Sequence, residues 1–216
     1  MTDRRQIDPD ARTRRDELRA LEALIDAACD AGVDAIQIRE RDLDRESLRD
    51  VVRRAIARAG AGGPRILVNH DVEVARDTGA GLHLRSDDPP AAAARDAIGA
   101  ATIVGRSIHQ PGEAGTEAAL DYVLFGPVFP TESKPGAPGA GLAALAEAVN
   151  KSRTPVLAIG GITPAGTASC ILAGAAGVAA IGAFLPRATG GNPAGLAGVV
   201  REFATALAPT RRGAVE

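Results

Sequence analysis

The sequence predicts an α/β fold, a (β/α)8 TIM barrel whose first strand is truncated. Three observations carry this. Short apolar runs alternate with helix-like segments along the whole chain, the signature of parallel βαβ units. A length of 216 residues with 45% hydrophobic content fits one barrel domain spanning 1–216, near the lower size limit of that fold. Polar, charged and glycine residues gather just beyond the ends of the apolar runs, where barrel enzymes keep their chemistry.

In chain order the strand-like runs are Ala35–Arg39, Arg65–Asn69, Gly81–Leu84, Thr102–Ser107, Tyr122–Gly126, Val156–Ile159 and Val178–Ile181. The helix-like segments are Asp16–Ala31, Asp44–Ala59, Val72–Thr78, Ala91–Ile98, Glu113–Leu120, Leu142–Asn150, Pro164–Ala173 and Pro193–Leu207. Asp44 ahead of Ser47, Thr163-Pro164 and Asn192-Pro193 read as helix starts. Gly32, Gly60, Gly79 and Gly174 read as left-handed helix ends. The count is one strand short of a closed barrel. The missing strand belongs before the first helix, where only the short, polar Met1-Thr2-Asp3-Arg4 stands. Either the barrel is incomplete or residues lie upstream of Met1. A doubly wound sheet is the competing architecture.

With 25 basic and 27 acidic residues, net charge is −2, which gives no electrostatic reason to expect nucleic acid or an acidic membrane. Aromatics make up 2% of the chain, too few for base-stacking platforms. Cys29 and Cys170 read as small core residues in a reducing compartment. No run approaches a membrane span and the N-terminus is not a signal peptide, so a cytoplasmic protein is expected. The arginines at 4, 5, 12, 14 and 15 read as a solvated terminus. The sequence leaves a homodimer open.

Asp121–Leu142, DYVLFGPVFPTESKPGAPGAGL, is the stretch richest in chemistry. Its apolar run breaks at Gly126-Pro127 into a loop with Thr131, Ser133 and Lys134. Two hydroxyls, an ammonium and a glycine-rich backbone suit an anion such as phosphate. The other run ends add Gln37, Arg39 and Arg41; Asn69, His70 and Asp71; His83, Asp87 and Asp88; Ser107 and His109; Gly160 and Gly161 before a helix; and Gly182. Cationic heads and backbone nests suit a pyrophosphate, and carboxylates suit an accompanying Mg2+. No nucleophile elbow, Walker loop or cysteine-rich metal spacing occurs.

The motifs QIRERDL, LVNHDVEVARDTGAGLHL, GRSIH, YVLFGPVFPTESKPG, AIGGI and GVAAIGAF resemble, in that order, the thiamine phosphate synthase and thiazole tautomerase superfamily. The resemblance covers about Thr2 to Leu207. It implies a barrel that couples aminomethylpyrimidine pyrophosphate to hydroxyethylthiazole phosphate with release of pyrophosphate and Mg2+ as cofactor. It implies that Gln37, Arg39, Arg41, Asn69, Ser107 and Lys134 contact the pyrimidine pyrophosphate, with Arg39, Ser107 and Lys134 serving catalysis. It further implies that Thr131, Ser133, Gly161, Ile181 and Gly182 hold the thiazole phosphate, to which the strand-end reading adds Gly160 as a substrate-binding residue, and that Asp88 is a metal ligand.

Two departures bear on the branch. Where the synthases read Asn-Asp, with the Asp on the metal, this chain reads Asn69-His70, and Asp71 is displaced by one residue. Where the tautomerases carry their catalytic His, this chain has Pro127. Coupling through a departing pyrophosphate needs charge stabilisation and positioning but no obligatory proton carrier, so it survives these changes better than a tautomerisation. The expected activity is therefore the synthase-like transferase. A tautomerase-like isomerase, its missing base supplied by His70 or His109, and a non-catalytic binder of phosphorylated thiamine intermediates are the alternatives.

Overall fold

The computed structural model describes residues 1–100, 102–116, 118–132, 136 and 138–211. The fold is α/β, with seven parallel strands running in chain order, and the residues divide into two compact units.

The first unit comprises Met1–His83, Ala92–Ile103 and Phe184–Val200. Helix α1 (Arg14–Ala31) starts where the Thr13 hydroxyl accepts from Asp16 N at 3.2 Å and stops at Gly32, whose φ of 79° is open to glycine without strain. Strand β1 (Ala35–Ile38), helix α2 (Arg45–Ala59), strand β2 (Arg65–Asn69), helix α3 (Val72–Thr78), strand β3 (Gly81–Leu84) and helix α4 (Ala91–Ile98) follow. Ile36 stands opposite Ile66, and Val68 opposite Leu82; all four are buried, as the near-continuous apolar runs of parallel strands require. Helix α2 is tied to α1 by Arg54–Glu22 at 2.9 Å and Arg58–Asp26 at 3.1 Å, and to α3 by Arg49–Asp77 at 2.8 Å.

The N-terminal residues depart from expectation. Thr2 N donates to Gln37 O at 2.8 Å, so this polar stretch places a residue alongside the end of β1. Arg4, expected in solvent, is buried among Glu17, Glu40 and Asp42, with contacts of 2.9, 3.0 and 2.6 Å. Three carboxylates compensate its desolvation, which a reading of local charge density cannot foresee. Arg5, Arg12, Arg14 and Arg15 are exposed, as expected.

The second unit comprises Leu84–Ala91, Val104–Ala183 and the residues from Arg201 on. It contains β4 (Val104–Ile108), β5 (Tyr122–Phe125), α5 (Gly141–Lys151), β6 (Val156–Ile159), α6 (Pro164–Leu172) and β7 (Gly177–Ala179). Gly105 pairs with Tyr122, whose ring lies where a Cβ at 105 would project, so a larger residue has no room there. Between β4 and β5 the expected helix over Glu113–Leu120 does not form among the described residues. A 3-10 turn at Pro111–Glu113 leads into turns, because Gly115 takes φ of 94° and passes so close to Lys151 O that a Cβ would overlap it. Strand β7 ends at Ala179, earlier than expected, and Gly182 opens a 3-10 turn through Phe184. The chain then adds α7 (Pro186–Thr189), which the sequence did not announce, and α8 (Pro193–Arg211).

The helix-start signals are realised. Ser47 N reaches Asp44 at 2.8 Å, Gly166 N reaches the Thr163 hydroxyl at 3.2 Å, and Gly195 N reaches Asn192 Oδ1 at 2.8 Å. Cys29 and the buried Cys170 are free thiols, each with its pKa raised chiefly by burial. Among the described residues no helix is long and apolar enough to cross a membrane.

Candidate active site

In the first unit, the ends of β1 and β2 bring Gln37 and Asn69 together. Gln37 is buried and donates from Nε2 to Asn69 Oδ1 at 3.0 Å, which orients both amides. Arg39 and Arg41 follow at alternate positions. Among the described residues their guanidinium groups form no ion pair or hydrogen bond, whereas Arg4, Arg5, Arg45, Arg49, Arg54 and Arg58 are each paired with a carboxylate. Burial lowers the pKa of the half-buried Arg39, and neighbouring Arg41 adds to that, against Asp3 and Glu40. Two adjacent cations beside an oriented amide pair are suited to a multiply charged anion.

Glu40, between the two arginines, is buried. Its side chain is 1% exposed and accepts from the Thr2 hydroxyl at 2.7 Å and from Arg4 Nη1 at 3.0 Å. Thr2 Oγ1 in turn accepts from Arg39 N at 3.0 Å. The N-terminal segment thus braces the backbone that carries the arginines. Glu40 and Arg4 were missed as supporting residues; a carboxylate between two arginines at period two was the available signal.

His70 follows Asn69 with φ of 71°, and its amide donates to His83 O at 2.8 Å. A left-handed conformation is less costly for Asn, Asp or His than for bulky residues, so an imidazole is tolerated there. His83 is buried, in accord with a core histidine. Asp71 caps α3, its Oδ1 accepting from Val74 N at 3.0 Å while Oδ2 pairs with Arg45 at 3.0 Å.

The second unit carries the anion-suited loop. After Phe125 the chain crosses a cis Gly126-Pro127 peptide and lies against the end of β6: Val128 N donates to Ile159 O at 2.8 Å and Phe129 N to Gly160 O at 3.0 Å. Gly160 and Gly161 take φ of 94° and 65°, and a Cβ on either would run into Pro127 or Pro130 respectively. The double glycine of AIGGI is therefore what lets the two loops approach. Thr131 is half-buried and Glu132 exposed. Ser133 and Lys134, both singled out from sequence, lie outside the described residues. Helix α6 begins at Pro164, so Ile162 and Thr163 separate it from the double glycine that was expected to abut it. Half-buried Ile181 and Gly182 follow β7.

At the end of β4, Ser107 is half-buried, and the next outward residue, His109, places Nδ1 2.6 Å from Gly126 O. Arg106, also missed, is buried and donates to the carbonyls of Arg85 at 2.7 Å, Asp88 at 3.0 Å and Pro89. A charged residue inside an apolar strand run must find internal partners, and here it shapes the turn that carries Asp88.

The residues do not fit a Mg2+ ion held by two carboxylates. Asp88, with a side chain 2% exposed, accepts from Arg85 N at 2.8 Å and pairs with the Arg85 guanidinium at 3.2 Å. Asp87 pairs with the same guanidinium at 3.3 Å, Asp71 is engaged as described, and position 70 offers an imidazole, a poor ligand for a hard cation. Among the described residues no three His, Cys, Asp or Glu side chains converge as a ligand set.

A family model described as thiamine monophosphate synthase matches residues 11–184. A putative thiamine-phosphate synthase of Geobacter sulfurreducens is 38% identical over 172 residues, covering 77% of this chain and 80% of that protein. The thiamine-phosphate synthase of Roseiflexus castenholzii is 39% identical over 172 residues, covering 77% and 75%. In structure, the thiamine phosphate pyrophosphorylase from Pyrococcus furiosus matches with a TM-score of 0.75 at 23% identity, covering 96% of this chain and 98% of that one, a likeness of fold.

Proposed function

The chain belongs to the thiamine monophosphate synthase family, and from that premise we propose how its own residues carry the family's chemistry. It is a transferase that joins aminomethylpyrimidine pyrophosphate to hydroxyethylthiazole phosphate and releases pyrophosphate. The carbon–oxygen bond to pyrophosphate breaks, the pyrimidine methylene cation is stabilised by the ring's exocyclic amine, and the thiazole nitrogen closes the new carbon–nitrogen bond. No proton has to move in the bond-forming step, so the protein's tasks are to stabilise departing charge and to place two rings.

The observation that carries the residue assignment is the pair of arginines that follow β1, which among the described residues form no ion pair, beside the Gln37–Asn69 amide pair. Gln37 and Asn69 hold the pyrimidine, while Arg39, Arg41 and Lys134, with Ser107, take the pyrophosphate. Thr131, Ser133 and the backbone at Gly160, Gly161, Ile181 and Gly182 take the thiazole phosphate. Because Asp88 is engaged with Arg85, charge neutralisation is assigned to the guanidinium and ammonium heads, and no step is assigned to a Mg2+ ion. The seven parallel strands are read as those of a single (β/α)8 barrel domain, and small phosphorylated molecules as its substrates.

The test gives pure protein two mixtures. In the first, both substrates with Mg2+ should yield thiamine phosphate and pyrophosphate. In the second, a thiazole carboxylate phosphate tautomer alone should stay unconverted, because Pro127 cannot carry a proton. Conversion in the second mixture with none in the first would replace this reading by the isomerase. Saturable binding without turnover in either would replace it by the binding module.

A further inference from the structure

We propose that His109 is a positioning residue for the loop Gly126–Thr131, and that its Nδ1–H sets how well the enzyme holds the thiazole phosphate. The proposal rests on the reading above that this loop takes that phosphate.

The geometry starts from one contact. His109 Nδ1 lies 2.6 Å from Gly126 O. A carbonyl oxygen only accepts, so Nδ1 bears the hydrogen. The ring is itself anchored at its backbone, since His109 N donates to Glu113 Oε2 at 2.9 Å. Gly126 is buried, and its own amide donates to Ile108 O at 3.2 Å. His109 is exposed and the contact part-buried, so removing the imidazole costs the carbonyl one hydrogen bond that water replaces less well in position.

What this contact holds is the first residue of the anion-suited loop. Downstream the loop is fixed by main-chain bonds: Val128 N to Ile159 O, Phe129 N to Gly160 O, Ala140 N to Pro127 O at 2.8 Å and Gly141 N to Val128 O at 2.9 Å. Those bonds set its distance from the double glycine. His109 adds a side-chain tie at its origin, so the ring decides where the loop leaves β5. Pro127, the next residue, lies against Gly160, so a shift at Gly126 reaches the double glycine that takes the phosphate. The ring thus acts through the loop and has no need to touch the substrate.

The experiment uses isosteres that separate the two ring nitrogens. In His109→Asn the amide nitrogen can occupy the place of Nδ1 and still donate to Gly126 O. In His109→Gln the amide falls near the place of Nε2, and His109→Ala removes both. Steady-state kinetics should show KM for hydroxyethylthiazole phosphate raised about threefold to tenfold in the Ala and Gln variants, the size of one neutral hydrogen bond. KM for the pyrimidine pyrophosphate should stay at the parent value, and the Asn variant should match the parent within about twofold. A general loss of structure would raise both KM values together and would not be rescued by Asn.

Unchanged thiazole phosphate KM in the Ala variant overturns the proposal. So does an Asn variant as impaired as Ala, since the ring would then act through Nε2. Titration calorimetry with hydroxyethylthiazole phosphate on the same proteins separates this from the proposed function. If the parent makes no thiamine phosphate yet binds the probe, with loss in Ala and retention in Asn, the positioning role stands and the synthase reading fails. If the parent turns over and all variants bind alike, the reverse holds. Should the Ala variant not fold, the Asn and Gln pair carries the same comparison.

Discussion

Single residues decide the site through backbone geometry as much as through side-chain chemistry. Gly161 takes φ of 65° under the Pro130 carbonyl, so it meets two demands that only glycine satisfies together. Gly161→Ala should destabilise the protein by about 1–3 kcal/mol, through left-handed strain and forced movement of the Phe129–Pro130 backbone. Thermal unfolding checks this; a variant melting with the parent would mean that the two loops can separate freely. AIGGI was legible in the sequence as a nest, but the reason for two glycines was not, because the overlapping atoms come from residues some 30 positions earlier. His109 shows the same limit: its place at a strand end was readable, whereas its bond to Gly126 required the strand register.

At the scale of elements, caps and apolar runs were readable because both are local. Asp71 illustrates how a local rule settles a functional question. It was a candidate for a displaced metal carboxylate, yet it caps α3 and pairs with Arg45. Asp71→Ala should cost about 0.5–2 kcal/mol of stability, the loss of an N-cap, and leave the Mg2+ dependence of turnover unchanged. An altered Mg2+ activation constant with an unchanged melting temperature would return Asp71 to the metal. The failed helix over Glu113–Leu120 marks the opposite case. Its composition permits a helix, but Gly115 must pass Lys151 O, and that tertiary contact overrides propensity.

At the scale of the molecule, the buried cluster around Arg4 joins the N-terminus, α1 and the end of β1 within the first unit. The hydrogen-bonded Arg4 guanidinium holds the Asp42 carboxyl well below the usual carboxylate range, in spite of an opposing effect of burial. A carboxyl with a depressed folded pKa contributes stability that is present above its unfolded value of about 4 and lost as pH falls through the folded one. The parent's melting temperature should therefore drop between about pH 5 and pH 2. Asp42→Asn should start lower at pH 7 and fall less steeply over that window. Parallel curves for the two proteins would show that the pair contributes nothing.

The sequence by itself determined the alternation of strands and helices, the helix starts at Asp44, Thr163 and Asn192, and the motifs that mark the family. These depend on periodicity and on neighbours within four residues, which a linear reading contains. Only the tertiary structure decided that Arg4 is buried, that Glu40 braces the arginine-bearing strand end, that Arg85 and Arg45 occupy the carboxylates of Asp88 and Asp71, and that His109 holds Gly126. Most of these depend on which distant segments meet. A charged or polar group is stable in such a place only when its partner arrives from elsewhere in the chain, and that pairing is set by packing and register, not by local pattern.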